Sequence, residues 1–240
     1  MKKVLLLALL VPFASNAQLK ELITKTNNKL TSVKEATNQS DIATGLKEAL
    51  QNGVDKQVVK LTSTDGFYKN QAVKILLPQE LRTVDKALRA AGMRAMADEG
   101  ILLLNRAAEE AVKESTPIFV DAIKNMKLKD AKEILMGRDN AATVYLQSAT
   151  TNELYEKFLP VVSSSLGKVG ADKVWSEIMK KYNALPMTRE VKTDLNDYVT
   201  NKALEGVFKM IAVEEIEIRN NVSSRTTPLL QSVFAQQDKK

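Results

Sequence analysis

From Ile42 to Phe234, apolar residues recur at every third or fourth position, and that period admits little besides packed amphipathic helices. Ile42, Leu46, Leu50, Val54 and Val58 step at i, i+4 behind a Ser40 or Asp41 cap. Thr64-Asp65-Gly66 then stops the run. Pro78 opens the next helix, which carries Leu81, Val84 and Leu88 and breaks at Gly92. A long helix follows over about 93–114 with Ile101, Leu104, Ala108 and Ala111 on one face, and Pro117 opens another with Ile118, Phe119 and Ile123. The second half has the same style, with helices over 130–136, 140–148, 151–166 and 171–184, the third containing Pro160. Pro186 breaks the chain, Asp194 or Asn196 caps a long helix to Arg219, and Pro228–Phe234 is the last. The fold expected is all-α, a single multi-helix domain.

One stretch breaks the helical period. "STDGFYKNQAVKILLPQELR", Ser63 to Arg82, has an Asp-Gly turn, two adjacent aromatics, an Asn and a short apolar run ending at Pro78. In an extended chain neighbouring side chains alternate faces, so the pattern predicts a β-ribbon near 66–77 between Gly66–Lys69 and Val73–Leu76. Two readings of the ribbon stand. It closes the helical core with Phe67, Val73 and Ile75 buried, or it forms a binding lip with Tyr68, Asn70 and Lys74 exposed around an apolar pocket.

The N-terminus reads as a secretory signal: Lys2 and Lys3, an apolar core Val4–Phe13, and the small residues Ala14-Ser15-Asn16-Ala17. Cleavage is expected after Ala17, followed by a polar leader over 18–39, the helical domain over 40–236 and a tail over 237–240. The apolar core is short of the roughly 20 residues a bilayer needs, so the processed protein is expected in the periplasm with no transmembrane segment. The chain has no Cys, so an exported form relies on burial rather than disulfides. Removing Lys2 and Lys3 lowers the formal charge from +6 to +4, spread along the chain, which argues against a nucleic-acid partner.

The absence of His and Cys excludes His-based acid–base chemistry, catalytic triads, thiol nucleophiles and most transition-metal sites. What remains is carboxylate, Lys, Ser or Tyr chemistry. No cofactor is expected. Polar residues on apolar stripes are the sharper signal. In the last long helix the stripe Leu204, Phe208, Ile211 runs into Glu215 and then Arg219, while Val207 and Met210 lead to Glu214. In the middle helix Asn105 continues the Ile101 stripe and Arg106 lies beside Glu109 and Glu110. Buried charges need partners, so Arg106 or Arg219 is expected to neutralise Glu214 or Glu215, with Arg225 nearby. The same residues could instead hold a polar ligand or an oxygen-ligated cation, or work as carboxylate catalysts.

The motifs "DGFYKN" and "AVKILLP", with "NRAAEEA" (105–111), "IFVDAI" (118–123), "DAKEIL" (130–135) and "AATVY" (141–145), resemble the ordered blocks of the bacterial family named domain of unknown function 4197. "DLNDYVTNKALEGVFKMIAVEEIEIR" (194–219) and "RTTPLLQSVF" (225–234) are similar to its C-terminal signature, so the resemblance covers roughly 40–234. It implies an exported helical protein, mostly of Gram-negative bacteria, with no assigned activity. Some relatives look like lipoproteins; without Cys this chain departs from them.

These readings lead to a non-enzymatic binding protein for a protein partner or an apolar small molecule. Its candidate site is Phe67, Tyr68, Asn70, Lys74, Arg106, Glu214, Glu215, Arg219 and Arg225, facing one cleft. A cell-envelope hydrolase using carboxylates and a structural envelope component are the alternatives.

Overall fold

The computed structural model describes residues 39–168, 171–184 and 194–238. The signal segment, nearly all of the leader, the Pro186 break and the last two tail residues lie outside them. The described elements are helices α1 (Gln39–Thr62), α2 (Arg82–Ala90), α3 (Arg94–Ala111), α4 (Ser115–Lys124), α5 (Leu128–Leu135), α6 (Ala141–Lys168), α7 (Ala171–Asn183), α8 (Leu195–Asn220) and α9 (Pro228–Phe234). Single 3-10 turns, Gln79–Leu81, Val112–Glu114 and Val222–Ser224, precede α2, join α3 to α4 and follow α8.

The two longest helices form the spine. α6 has 28 residues and α8 has 26, each about 40 Å long at 1.5 Å per residue. They pack on each other, and α3 packs on both. α1 closes one side against α4, α5, α8 and α9, and α7 lies against α2, α3 and α6. The stepped apolar residues meet in one core: Leu46, Val54, Leu61, Val84, Leu104, Phe119, Phe158, Val199 and Phe234 are all nearly or fully buried. Among the described residues no helix is long and apolar enough to cross a membrane.

Local chemistry places several of the helix ends. Asp194 caps α8, its carboxylate accepting the Asp197 N–H, and Thr227 caps α9 by accepting the Leu230 N–H with Pro228 just inside. Gly92 ends α2 with φ 79°, a left-handed conformation that suits glycine. Two boundaries differ from those expected. α1 already begins at Gln39, so Ser40 and Asp41 lie in its first turn. The segments 140–148 and 151–166 are one helix, because nothing between Ser148 and Thr151 breaks it, and Pro160 sits inside it.

The β-ribbon over 66–77 does not form, and no described residue is in a strand. The cause is Asn70. Its carbonyl accepts the N–H groups of both Val73 and Lys74, and its side chain accepts from the Ala72 N–H, so the chain turns where a ribbon would run straight. Before it, Asp65 takes a left-handed φ of 69° and the Lys69 N–H donates to the Asp65 carbonyl. A Cβ on Gly66 would lie 2.4 Å from the Leu61 carbonyl oxygen, so only glycine fits this return over the end of α1. Lys74 to Pro78 is irregular, with Ile75 and Leu77 facing in and Leu76 facing out. The segment does close the core: Phe67, Val73 and Ile75 are buried.

Candidate functional site

The segment is held by α3. The Glu109 carboxylate, almost fully buried, accepts the N–H groups of Phe67 at 3.0 Å and Tyr68 at 3.4 Å, and its other oxygen takes Arg106 Nη1 at 2.6 Å. Arg106 Nη2 reaches Asp65 at 2.6 Å, and Asp65 also pairs with Lys69. The Lys69 ammonium, with Arg106 behind it, holds the Asp65 carboxyl below its ordinary range. Farther along, Asn105 is wholly buried and does the work of a neighbouring strand. Its side-chain oxygen accepts the Ile75 N–H and its amide donates to the Ile75 carbonyl, each at 2.8 Å. Phe67 then inserts against Gly206 of α8, where a Cβ would come within 2.6 Å of the ring.

The other charges flagged by their stripe positions sit at helix ends. Glu215 accepts the N–H groups of Ala142 and Thr143 and the Thr143 hydroxyl, so it caps α6 from across the core. An anion at that terminus also meets the positive end of the helix dipole. Arg219 pairs with Glu215 at 2.8 Å and donates to the Ile134 and Leu135 carbonyls at the end of α5. One ion pair thus satisfies the end of α5 and the start of α6, two helices joined by a short turn. Arg225 repeats the device on α8, donating to the carbonyls of Ile218 and Arg219, and its charge pairs with Asp238 at 2.5 Å. The Arg225 guanidinium holds the Asp238 carboxyl below its ordinary range. Glu214 turns the other way, to Lys56 Nζ at 2.6 Å and the Gln57 amide at 2.7 Å on α1.

The nine candidate residues therefore fall into two groups. Phe67, Tyr68, Asn70, Lys74 and Arg106 surround the 63–78 segment. Glu214, Glu215, Arg219 and Arg225 lie toward the far end of α8; Gly206 and Glu215 are about 13 Å apart along the helix axis. The Arg219–Glu215 pair is one of the pairings expected from the stripes, whereas Arg106 is matched by Glu109 and Asp65 instead. Beside Glu214, Glu215 and Arg219 lies a cavity of about 20 Å³ with Leu46, Leu50, Ile211 and Phe234 in its wall. That volume holds about one water molecule.

A larger hollow of about 290 Å³ runs between the 72–77 segment and α8. Its wall on α8 is Tyr198, Lys202, Glu205, Gly206 and Lys209, a single face at i, i+4, i+7, i+8 and i+11. Across it stand Ala72 to Leu77 and Arg82. Leu76 presents an exposed apolar side chain, 54% accessible. The rims are tied: the Tyr198 hydroxyl donates to the Leu76 carbonyl at 2.9 Å, and Lys209 Nζ to the Ala72 carbonyl at 2.8 Å. Lys74 Nζ rests 4.1 Å from the centre of the Tyr68 ring. Of the nine candidates only Lys74 lines this hollow. Tyr198, Lys202 and Lys209 were not singled out from the sequence, although their helical spacing carries the signal. A second hollow beside Arg106 is lined by two ion pairs, Arg106 with Glu109 and Lys113 with Glu110, and by Lys168. Among the described residues no cluster of three or more carboxylates is placed to hold a metal ion.

The comparisons agree with the motif resemblance. No curated protein and no solved structure matches the chain. The family model described as "Protein of unknown function (DUF4197)" matches residues 36–235, from just before α1 to just after α9. The chain belongs to that family.

Proposed function

We propose that this chain is an exported periplasmic protein that binds a partner or small molecule in the hollow between the 72–77 segment and α8, and that it catalyses no reaction. The observation that carries the reading is a preformed open hollow of about 290 Å³, near the lower size of small-molecule sites. Its exposed Leu76 is fixed from behind by Asn105 on Ile75 and from the side by Tyr198. Loops carried on a rigid scaffold are common binding edges. Export is supported by the pattern of the first 17 residues.

The carboxylates of the alternative hydrolase are otherwise engaged. Glu214 and Glu215 are buried, each bonded to protein groups on different helices, and the space beside them admits about one water. Among the described residues Glu205 is the one carboxylate lining the hollow beside 72–77, and it is paired with Lys202 at 2.5 Å.

Native mass spectrometry of the protein recovered from the periplasm of its own host tests the proposal. The expected result is an N-terminus at Gln18 and a mass excess that vanishes on denaturation. A clean oligomer without ligand would overturn the reading in favour of a structural envelope component.

A further inference from the structure

The charge lining the hollow says more about its occupant than its shape does. Among the described residues four cations face it, Lys74, Arg82, Lys202 and Lys209, against the single carboxylate of Glu205. Glu205 is taken by Lys202. Among the described residues Lys74, Arg82 and Lys209 are paired with no carboxylate: Lys74 lies over Tyr68, and Lys209 donates to a backbone carbonyl. Among these cations the lining also holds Val73 and Leu77, both nearly buried, and Leu76, whose apolar side chain is exposed. Along α8 the wall from Tyr198 to Lys209 is about 17 Å long at 1.5 Å per residue. The hollow is thus long, with an exposed apolar side chain on one wall and an excess of positive charge in its lining.

We propose, resting on the binding reading above, that the occupant is a single-chain anionic amphiphile, with a phosphate or carboxylate head and one apolar chain. The head pairs with Lys74, Lys209 or Arg82, and the chain covers Leu76. An added peptide strand fits less well. Such a strand would need the outward main-chain groups of 74, 76 and 78. The Lys74 N–H already donates to the Asn70 carbonyl, the Leu76 carbonyl accepts from Tyr198, and Pro78 has no N–H. A free anion lacks the apolar part that would cover Leu76.

The test is titration of the full chain, followed by amide chemical shifts and calorimetry, with four probes below any micelle concentration. They are dodecyl phosphate, dodecyl maltoside, inorganic phosphate and an acidic peptide. Dodecyl phosphate is expected to bind, to shift amides over 72–77 and 198–209, and to bind at least about tenfold more tightly than either dodecyl maltoside or phosphate. Reversing charge with Lys74→Glu and Arg82→Glu together is expected to weaken it about tenfold or more while the melting temperature holds. Lys74→Met, which keeps the stem and removes the charge, should give an intermediate loss. Equal binding of dodecyl maltoside, or indifference to charge reversal, would overturn the anionic class. If the acidic peptide alone shifts these amides, the amphiphile falls and the binding hollow stands. If no probe shifts them, and the protein from its host carries no ligand, both fall.

Discussion

Replacing Glu215 with Gln keeps the shape of the side chain and removes its charge from a place where water barely reaches. The native carboxylate accepts four donors: the Ala142 and Thr143 N–H groups, the Thr143 hydroxyl and Arg219 Nε. A glutamine amide has only one accepting oxygen, so at least one of these donors would face an NH₂ group. The Arg219 guanidinium, 2% exposed, would keep its bonds to the Ile134 and Leu135 carbonyls and to Gln237 but lose its counter-ion. Removing one partner of a buried pair costs about 3–5 kcal/mol, and the remaining neutral bonds bring this toward the lower end. Glu215→Gln is therefore expected to lose about 3 kcal/mol, read as a lower urea midpoint at unchanged slope. Combining it with Arg219→Met should cost less than the two single changes added together, since the second removes the orphaned charge. A Glu215→Gln protein within about 0.5 kcal/mol of the parent would refute the capping account and reopen Glu215 as a functional carboxylate.

Three further outcomes follow from the same contacts. Asn105→Ala leaves the Ile75 N–H and carbonyl buried without their partner, at about 1–3 kcal/mol for each group, and faster hydrogen exchange of the Ile75 amide would accompany the loss. Gly206→Ala improves helix propensity by about 1 kcal/mol but drives a methyl into the buried Phe67 ring, so a net loss of about 1 kcal/mol is expected in thermal unfolding. Asp65, Glu217 and Asp238 all titrate below their ordinary range: Lys69 and Arg106 face the first, Ser224 and Asn221 the second, Arg225 the third. The unfolded chain then takes up these protons first, so the stabilisation is complete above about pH 5 and is lost as pH falls through the depressed native values. Urea midpoints between pH 7 and 2 should show that fall, and Asp65→Asn should make it shallower.

The helical class was legible because the apolar stepping is an intrachain signal. Ile42 through Val58 and Leu204 through Ile211 are buried as their spacing requires. Polar residues on those stripes were also legible as anomalies, and Asn105, Glu214, Glu215 and Arg219 are all buried. Their partners were not, because a cap supplied from another helix leaves no local trace. Glu215 lies 73 positions from Ala142. The 66–77 segment misled for a related reason. Its alternation of inward Ile75 and outward Leu76 is real, yet a strand also needs a second backbone, and here the side chain of Asn105 stands in for one. The hollow escaped notice because half of it comes from the polar face of α8, where Lys202 and Lys209 look like ordinary solvated lysines until the 72–77 segment is laid across from them.

The central claim is a division of labour: the buried charges at the far end of α8 hold the frame, and the hollow beside 72–77 does the binding. Ligand occupancy and melting temperature, measured side by side for Lys74→Glu and Glu215→Gln proteins recovered from the native host, test it most directly. The account predicts that Lys74→Glu lowers the occupancy at an unchanged melting temperature, while Glu215→Gln lowers the melting temperature and leaves the folded fraction occupied. A folded, undiminished Glu215→Gln protein that has lost its ligand would contradict it.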